Sequence, residues 1–328
     1  MTSDGNLTTP EEADDGYPPL LIVFIVLQQL VFSLSCVGNG IVIYIFIRHL
    51  RLKSLTNRFV VGLAAADFFT GLSVGSQIFY FLFPNLNTYR VACFIRYQMV
   101  AFMTMTSQLT VSFTTFDRYM AICHPHSYSK VVTNITANVL VTTPWIYALI
   151  ITTSSYIGLE PRTSDSLNCL YHLIFEHGVY LASALTIVFF SIASFVMYMC
   201  ILRIAWKYYN RIRPSISSSS NPKTRQKSTE RDVRSAKVMG IVTTGFTVCW
   251  APFTAYQFRY GLGFVDLTMD DISASNWLVF LGMTNSLVNP VIYAWQRKDF
   301  NRACRKLCGR NIDGSNSTAG FTSHVSTT

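Results

Sequence analysis

The chain has 328 residues, half of them hydrophobic and only 13% charged, with a formal net charge of +9. Soluble domains carry roughly a quarter charged residues, so this composition excludes an ordinary soluble core and favours blocks of membrane-spanning length. The excess positive charge does not mark a nucleic-acid binder, because the basic residues flank apolar blocks instead of forming a patch.

The first 47 residues contain Asp4, Glu11, Glu12, Asp14 and Asp15 and no Lys or Arg. No basic segment followed by an apolar run marks a signal peptide there. The triplet Asn6-Leu7-Thr8 is a glycosylation sequon if it is exported. Apolar blocks then cover 20–47, 58–83, 92–123, 135–158, 175–205, 238–260 and 272–295. Each can cross roughly 30 Å of hydrocarbon at 1.5 Å per residue, and helices are the default because backbone groups must be satisfied within lipid.

Basic residues set the orientation. Arg48, Arg51 and Lys53 follow the first block. Lys207, Arg211, Arg213, Lys223, Arg225, Lys227 and Arg231 lie between the fifth and sixth, and Arg297, Lys298, Arg302 and Arg305 follow the seventh. The positive-inside rule puts the N-terminus outside and the C-terminus in the cytoplasm. The predicted fold is an all-α membrane protein. It is a seven-transmembrane helix bundle with a short amphipathic C-terminal helix over 296–308, lying on the inner face. Residues 1–19 form an extracellular N-terminus, 20–308 the transmembrane domain, and 309–328 a disordered cytoplasmic tail. The serine-rich stretch 215–220, within a loop over 210–230, also reads as disordered. Both disordered stretches are kinase targets or plain solvated linkers.

The eight cysteines form no metal-binding spacing. Cys93 and Cys169 fall in outer segments, where the compartment permits a disulfide. Cys304 and Cys308 share one face of the C-terminal helix, as palmitoylation sites or as thiols buried at the interface.

Ionisable residues inside spans mark functional sites. Asp67 ends the run Leu63-Ala64-Ala65-Ala66-Asp67 midway along the second block. It is either a satisfied structural carboxylate or a cation ligand acting with Ser107, Asn285 and Asn289 at comparable depth. Arg118 lies 25 residues after Cys93, about 37 Å along a helix, and so at the inner face. Asp117 adjoins it, and Asp232 precedes the sixth block on the same side. An Arg118–Asp232 pair would be either an ordinary interfacial salt bridge or a clamp whose release separates two helices. Pro252 and Pro290 are candidate kinks.

Gly38-Asn39, the Leu-Ala-Ala-Ala-Asp run, Asp117-Arg118-Tyr119, Trp145, Cys249-Trp250-Ala251-Pro252 and Asn289-Pro290-Val291-Ile292-Tyr293 occur in order, one per block. Together they resemble the helix signatures of class A (rhodopsin-like) G-protein-coupled receptors. The resemblance implies a plasma-membrane receptor that is not an enzyme. Its partners would be a heterotrimeric G protein, arrestin, receptor kinases and membrane lipids, with no nucleic acid. It also implies a Cys93–Cys169 disulfide and an allosteric sodium pocket of Asp67, Ser107, Asn285 and Asn289 beneath Trp250, with Asn39 nearby through water. No other cofactor is required. Arg118, Tyr198 and Tyr293 would rearrange to admit the G protein. Three positions depart from the pattern. Phe190 stands where a proline is common, Gln108 where an aliphatic residue is usual, and His126 where a bulky apolar residue usually contacts the G protein. Gln108 is placed to hydrogen-bond across helices.

Retinal receptors carry a Lys in the seventh span, where this chain has Met283, so a light sensor is excluded. Amine receptors carry an Asp where this chain has Val100, and no carboxylate lies between Phe94 and Phe116; an amine is excluded on Coulombic grounds. The remaining pocket residues are Gln77, Tyr97, Gln98, Thr104, Tyr171, Trp250, Phe253, Tyr256, Gln257 and Asn276. They suit a neutral hydrogen-bonding ligand stacked on aromatics. Asn57-Arg58-Phe59-Val60-Val61 and the stretch from Asn289 to Phe300 are similar to adenosine receptors. Gln257, Gly282 and Met283, however, replace the purine- and ribose-binding residues of that group. The ligand classes left are nucleoside-like molecules, lipids and peptides. The alternative of a transporter or channel would need paired broken helices or a polar pathway, and neither pattern is present. No His-Glu-x-x-His or Gly-x-Ser-x-Gly run supplies a catalytic constellation.

Overall fold

The computed structural model describes residues 19–50, 55–157, 169, 177–215, 222–264, 268–296 and 298–307, all helical or connecting segments with no strand among them. The helices are α1 (Pro19–Ile45), α2 (Leu55–Gly75), α3 (Gln77–Leu82), α4 (Arg90–Cys123), α5 (Pro125–Val131), α6 (Asn134–Ile157), α7 (His177–Ser215), α8 (Pro222–Gly261), α9 (Met269–Met283), α10 (Asn285–Gln296) and α11 (Lys298–Leu307). They form a seven-pass bundle. α2 with α3 makes one pass, α9 with α10 makes another, and α5 and α11 lie between or after passes. Asn6, Tyr171, Cys308 and the tail 309–328 lie outside the described residues.

Five passes are apolar enough to span a membrane on composition alone: 19–48, 57–82, 134–154, 178–204 and 270–295. α4 and α8 are long, at 34 and 40 residues, but more polar. The polar character of α4 follows from its central position against α2, α6, α7 and α8. Its buried side chains include Thr106, Ser107, Gln108, Thr110, Ser112, Thr114 and Thr115. Most of these hydroxyls are satisfied by the helix itself: Thr110 donates to Thr106 O at 2.7 Å, Thr114 to Thr110 O at 2.6 Å and Thr115 to Val111 O at 2.9 Å. Large apolar side chains are exposed on the opposite faces of the bundle, such as Leu30, Leu34 and Val37 on α1 and Phe189, Ile192 and Phe195 on α7. That pattern suits a hydrocarbon solvent.

The expected blocks correspond to these passes, with differences at the ends. The second and seventh blocks are each interrupted. Ser76 Oγ donates to Ser73 O at 2.7 Å, and Thr284 Oγ1 donates to Leu281 O at 2.6 Å. In each case a hydroxyl takes a carbonyl three residues back and competes with the helical ladder. α7 and α8 run well past the expected blocks, so 210–215 and 222–230 are helical, not part of a loop. The charged sequences there, rich in Lys, Arg, Gln and Glu, are good helix formers. α5, begun by Pro125 at its first position, was not expected.

Close approach of helices relies on glycine at a few points. Gly71 and Gly75 are four apart on α2 and face α1. A Cβ on Gly71 would lie 3.0 Å from Cys36 Sγ, and one on Gly75 would lie 2.7 Å from the Phe32 ring. This is small-residue packing of the kind that drives helix association in lipid. α11 is amphipathic as expected. Phe300 and Ala303 are buried, and Phe300 stacks on Phe46 at 5.9 Å, while Arg302 and Arg305 are exposed. Gly75→Leu drives a side chain into Phe32. An overpacking penalty of about 1–3 kcal/mol lowers the melting temperature of the solubilised protein by several degrees. An unchanged melting curve would show that the α1–α2 contact is slack.

Candidate functional site

The Asp67 carboxylate is fully buried and joins three helices. Ser107 of α4 donates to Oδ1 at 2.8 Å, Ser286 of α10 to the same oxygen at 3.1 Å, and Asn289 Nδ2 to Oδ2 at 2.6 Å. From α1, Ser35 Oγ donates to the Asp67 carbonyl at 3.0 Å. Burying a charge is tolerable only with such partners. The Oδ1 atoms of Asn39, Asn285 and Asn289 are buried with no hydrogen-bond partner.

Asn39 has a backbone task. Pro290 has no N–H to give to the carbonyl of Ser286, one helical turn back. Asn39 Nδ2 donates to that carbonyl at 3.1 Å, and also to Ser35 O at 3.0 Å. The amide of α1 thus replaces the bond that the proline removes, and the contact is direct. Pro290 packs against Gly38, where a Cβ would lie 3.1 Å from it.

Trp250 of α8 is buried between Phe246, stacked at 6.0 Å, and Phe253, edge-on at 6.0 Å. Its indole lies against α9, where a Cβ on Gly282 would come within 2.6 Å of it. Glycine at 282 therefore has a steric cause, which accounts for one departure noted in the sequence. Gln108 does bond across helices: Nε2 donates to Ile187 O of α7 at 3.0 Å. Phe190, in place of a proline, stacks on Phe113 at 6.2 Å.

At the end of α4 away from the disulfide, Arg118 forms an ion pair with Asp117 through Nε and Nη2. Asp117 is fully buried, and its other oxygen accepts from Tyr128 Oη of α5 at 2.7 Å. Burial, and that bond to Asp117, push the Tyr128 phenol up to about 12 from 10.0. The bond's contribution is therefore complete below pH 10 and fades only as pH rises through about 12. Tyr119 Oη meets His124 Nε2 at 3.1 Å, and His126 is exposed on α5. The Asp232 side chain lies outside the described residues. Two other contacts hold α8 in place at this end. Thr115 Oγ1 and Thr243 Oγ1 lie 3.3 Å apart, and the Tyr198 ring of α7 occupies the space a Cβ on Gly240 would fill, 2.0 Å from its Oη. Neither Thr243 nor Gly240 stood out in the sequence. Their signal was a small residue and a hydroxyl three apart on one helix face. Tyr293 is buried in the central core.

Cys93 and Cys169 form a disulfide at the opposite end. The residues read as ligand contacts divide between two cavities. Thr104, Trp250, Phe253 and Gln257 line an inner one of about 40 Å³, together with Gln108 and Ser183. That volume holds a water or two, not an organic molecule. Gln77, Tyr97 and Asn276 line an outer one of about 500 Å³ between α1, α3, α4 and α9. This lies within the range of small-molecule sites. Val100 and Met283 line neither, and Met283 is buried. Gln98 is turned to Thr152 on α6, at 2.8 Å. Two residues passed over in the sequence matter here. Ser286 reaches Asp67, and Arg96, one helical turn before Val100, lines the outer cavity.

The family model described as 7 transmembrane receptor (rhodopsin family) matches residues 38–293. The match begins at Gly38 and ends at Tyr293, and so takes in Asp67 with its side-chain donors, the Asp117–Arg118 pair and the inner cavity, while the α1 wall of the outer cavity precedes it.

Gly240→Ala forces the Tyr198 phenol out of its slot, at about 1–3 kcal/mol of overpacking. The melting temperature of the solubilised protein falls by several degrees. An unchanged melting curve would show that the ring leaves the slot without cost.

Proposed function

The chain belongs to the rhodopsin family of seven-transmembrane receptors, and on that premise we propose that it binds an extracellular ligand and activates heterotrimeric G proteins. Members of this family are receptors and not enzymes, and the chain is a multi-pass membrane protein. The N-terminus faces outside, the disulfide end binds ligand, and the Arg118 end engages the G protein at the plasma membrane. The observation that carries the reading is the construction of the Arg118 end. A half-buried cation is held by a buried carboxylate that also accepts from a tyrosine, beside a helix that meets its neighbours through a threonine pair and a tyrosine slot. Such contacts make a bistable element, in which breaking a few weak bonds frees α8 to move. Tyr198 and Tyr293 then turn inward, and Arg118 leaves Asp117 to meet the G protein.

The Asp67 network is the second part of the proposal. Asp67, Ser107, Asn285 and Asn289 present oxygen ligands, and the unpartnered Oδ1 atoms of Asn285 and Asn289 suit a small hard cation. Sodium bound there would neutralise the carboxylate and favour the resting arrangement. For the ligand, the outer cavity favours a small molecule over a peptide, because its walls enclose a limited volume between helices.

Two experiments test these points. Arg118→Ala abolishes G-protein activation while surface expression and the melting temperature stay near wild type; undiminished activation would overturn the receptor-switch reading. Sodium chloride, compared with choline chloride at equal ionic strength, raises the melting temperature of the purified receptor. Asp67→Asn removes that difference, whereas a sodium effect that survives in Asp67→Asn would place the ion elsewhere.

A further inference from the structure

Among the described residues that line the outer cavity, one side chain is charged, and it is cationic. Arg96 lies between two aromatic rings, its guanidinium carbon 5.0 Å from the centroids of Tyr80 and Tyr97. Nε donates to Gln77 Oε1 at 2.7 Å, and Nη1 to Asn87 Oδ1 at 2.9 Å. Both amides are fixed by their own donors. Gln77 Nε2 reaches Ser73 O and Arg96 O at 3.3 and 3.4 Å, and Asn87 Nδ2 reaches Tyr80 O at 3.0 Å. The rings are fixed too, since Tyr80 Oη donates to Ala92 O at 2.8 Å and Tyr97 Oη to Cys169 O at 3.0 Å. The guanidinium is therefore held in one orientation by partners that, among the described residues, are all neutral.

Among the described residues the recorded ion pair joins Arg118 and Asp117, at the other end of the bundle. No carboxylate among the described residues lines the outer cavity. The acidic residues nearest along α9, Asp270 and Asp271, are not in its wall, and Asp271 accepts from Thr268 in the capping box that starts that helix. A guanidinium has five N–H donors, and two are used by Gln77 and Asn87. Nη2 offers a pair of donors to an anionic oxygen. Across the cavity Leu20, Leu21, Phe24 and Ile25 of α1 and Trp277 of α9 form an apolar part of the wall, with Gln28, Ser273 and Asn276 beside it and Phe24 and Trp277 in edge contact at 4.8 Å.

Resting on the receptor reading, we propose that the outer cavity binds an amphiphilic organic anion. A carboxylate or phosphate head takes the Arg96 guanidinium, and an apolar body lies against Phe24 and Trp277. The structure thereby revises the expectation of a neutral ligand: the amides of Gln77 and Asn87 orient the cation and are not themselves the main contacts for the ligand. A fixed guanidinium loses little freedom on binding and matches two oxygens of one head group.

The test is direct binding to the purified full-length receptor in nanodiscs of zwitterionic lipid, which does not depend on G-protein coupling. The probes are dodecanoate, dodecyl phosphate, dodecanol and inorganic phosphate. At least one of the two amphiphilic anions raises the melting temperature and binds at least tenfold tighter than dodecanol or inorganic phosphate. Arg96→Gln lowers that affinity about 10- to 100-fold, Arg96→Lys restores part of it, and Trp277→Ala weakens it with the cation intact. Equal binding of anion and alcohol, or an Arg96→Gln receptor that folds and binds the anion as well as wild type does, overturns the proposal. If Arg96→Gln does not fold, the comparison of anion with alcohol on wild type still decides. Repeating the assay with phosphatidic acid in the nanodisc separates sources: loss of soluble-anion binding there assigns the site to a bilayer lipid of the same chemistry. Neutralising Glu11, Glu12, Asp14 and Asp15 tests the chain's own acidic segment. Anion binding that emerges only in that variant assigns the cation to this segment and overturns a diffusible ligand. This binding is read without a G protein, so failure here leaves the Arg118 result to judge the receptor reading separately.

Discussion

The bundle is organised around a carboxylate that would be prohibitively costly to bury alone. Asp67 is fully buried, and α1, α4 and α10 each contribute hydrogen bonds to it or to its backbone. Removing any one donor leaves a desolvated acceptor, worth more in lost stability than an average hydrogen bond gives. The arrangement therefore sets the relative depth of these helices. It also accounts for Asn39, whose side chain serves the carbonyl that Pro290 leaves without a donor. The first and last passes are thus joined through a proline, not in spite of it.

Outward from Asp67 the interior changes character. Trp250 and its stacked neighbours fill the middle, and above them the cavities are bordered by amides, tyrosines and one guanidinium. Toward the Arg118 end the described contacts are small: two threonine hydroxyls, a ring over a glycine, an ion pair between adjacent residues.

Much of this was legible in the sequence, and for identifiable reasons. Apolar blocks of spanning length, basic connectors and one signature per block specify a seven-pass receptor. Asp67 stood out because a charge in a span is rare. Other features were hidden because they depend on which face of a helix meets which neighbour. Ser286 was passed over for Asn285 because the break at Thr284 sets the register of α10. Gly282 read as a missing ligand contact, when in fact it makes room for an indole. Arg96 read as one more residue near the outer boundary. Only its placement between Tyr80 and Tyr97, facing an apolar wall, gives its charge a consequence. The breaks at Ser76 and Thr284 arise from hydroxyls that compete for carbonyls, a choice that many serines and threonines in spans never make.

The length of α8 sets a mechanical ratio. Pro252 lies nine residues from its outer end at Gly261 and thirty from its inner end at Pro222, about 13 Å and 45 Å at 1.5 Å per residue. A helix pivoting there is a lever with arms of roughly one to three. A displacement of one ångström at the Gly261 end of such a lever becomes about three at the Pro222 end. The gain of the rod depends on where along it the fulcrum sits.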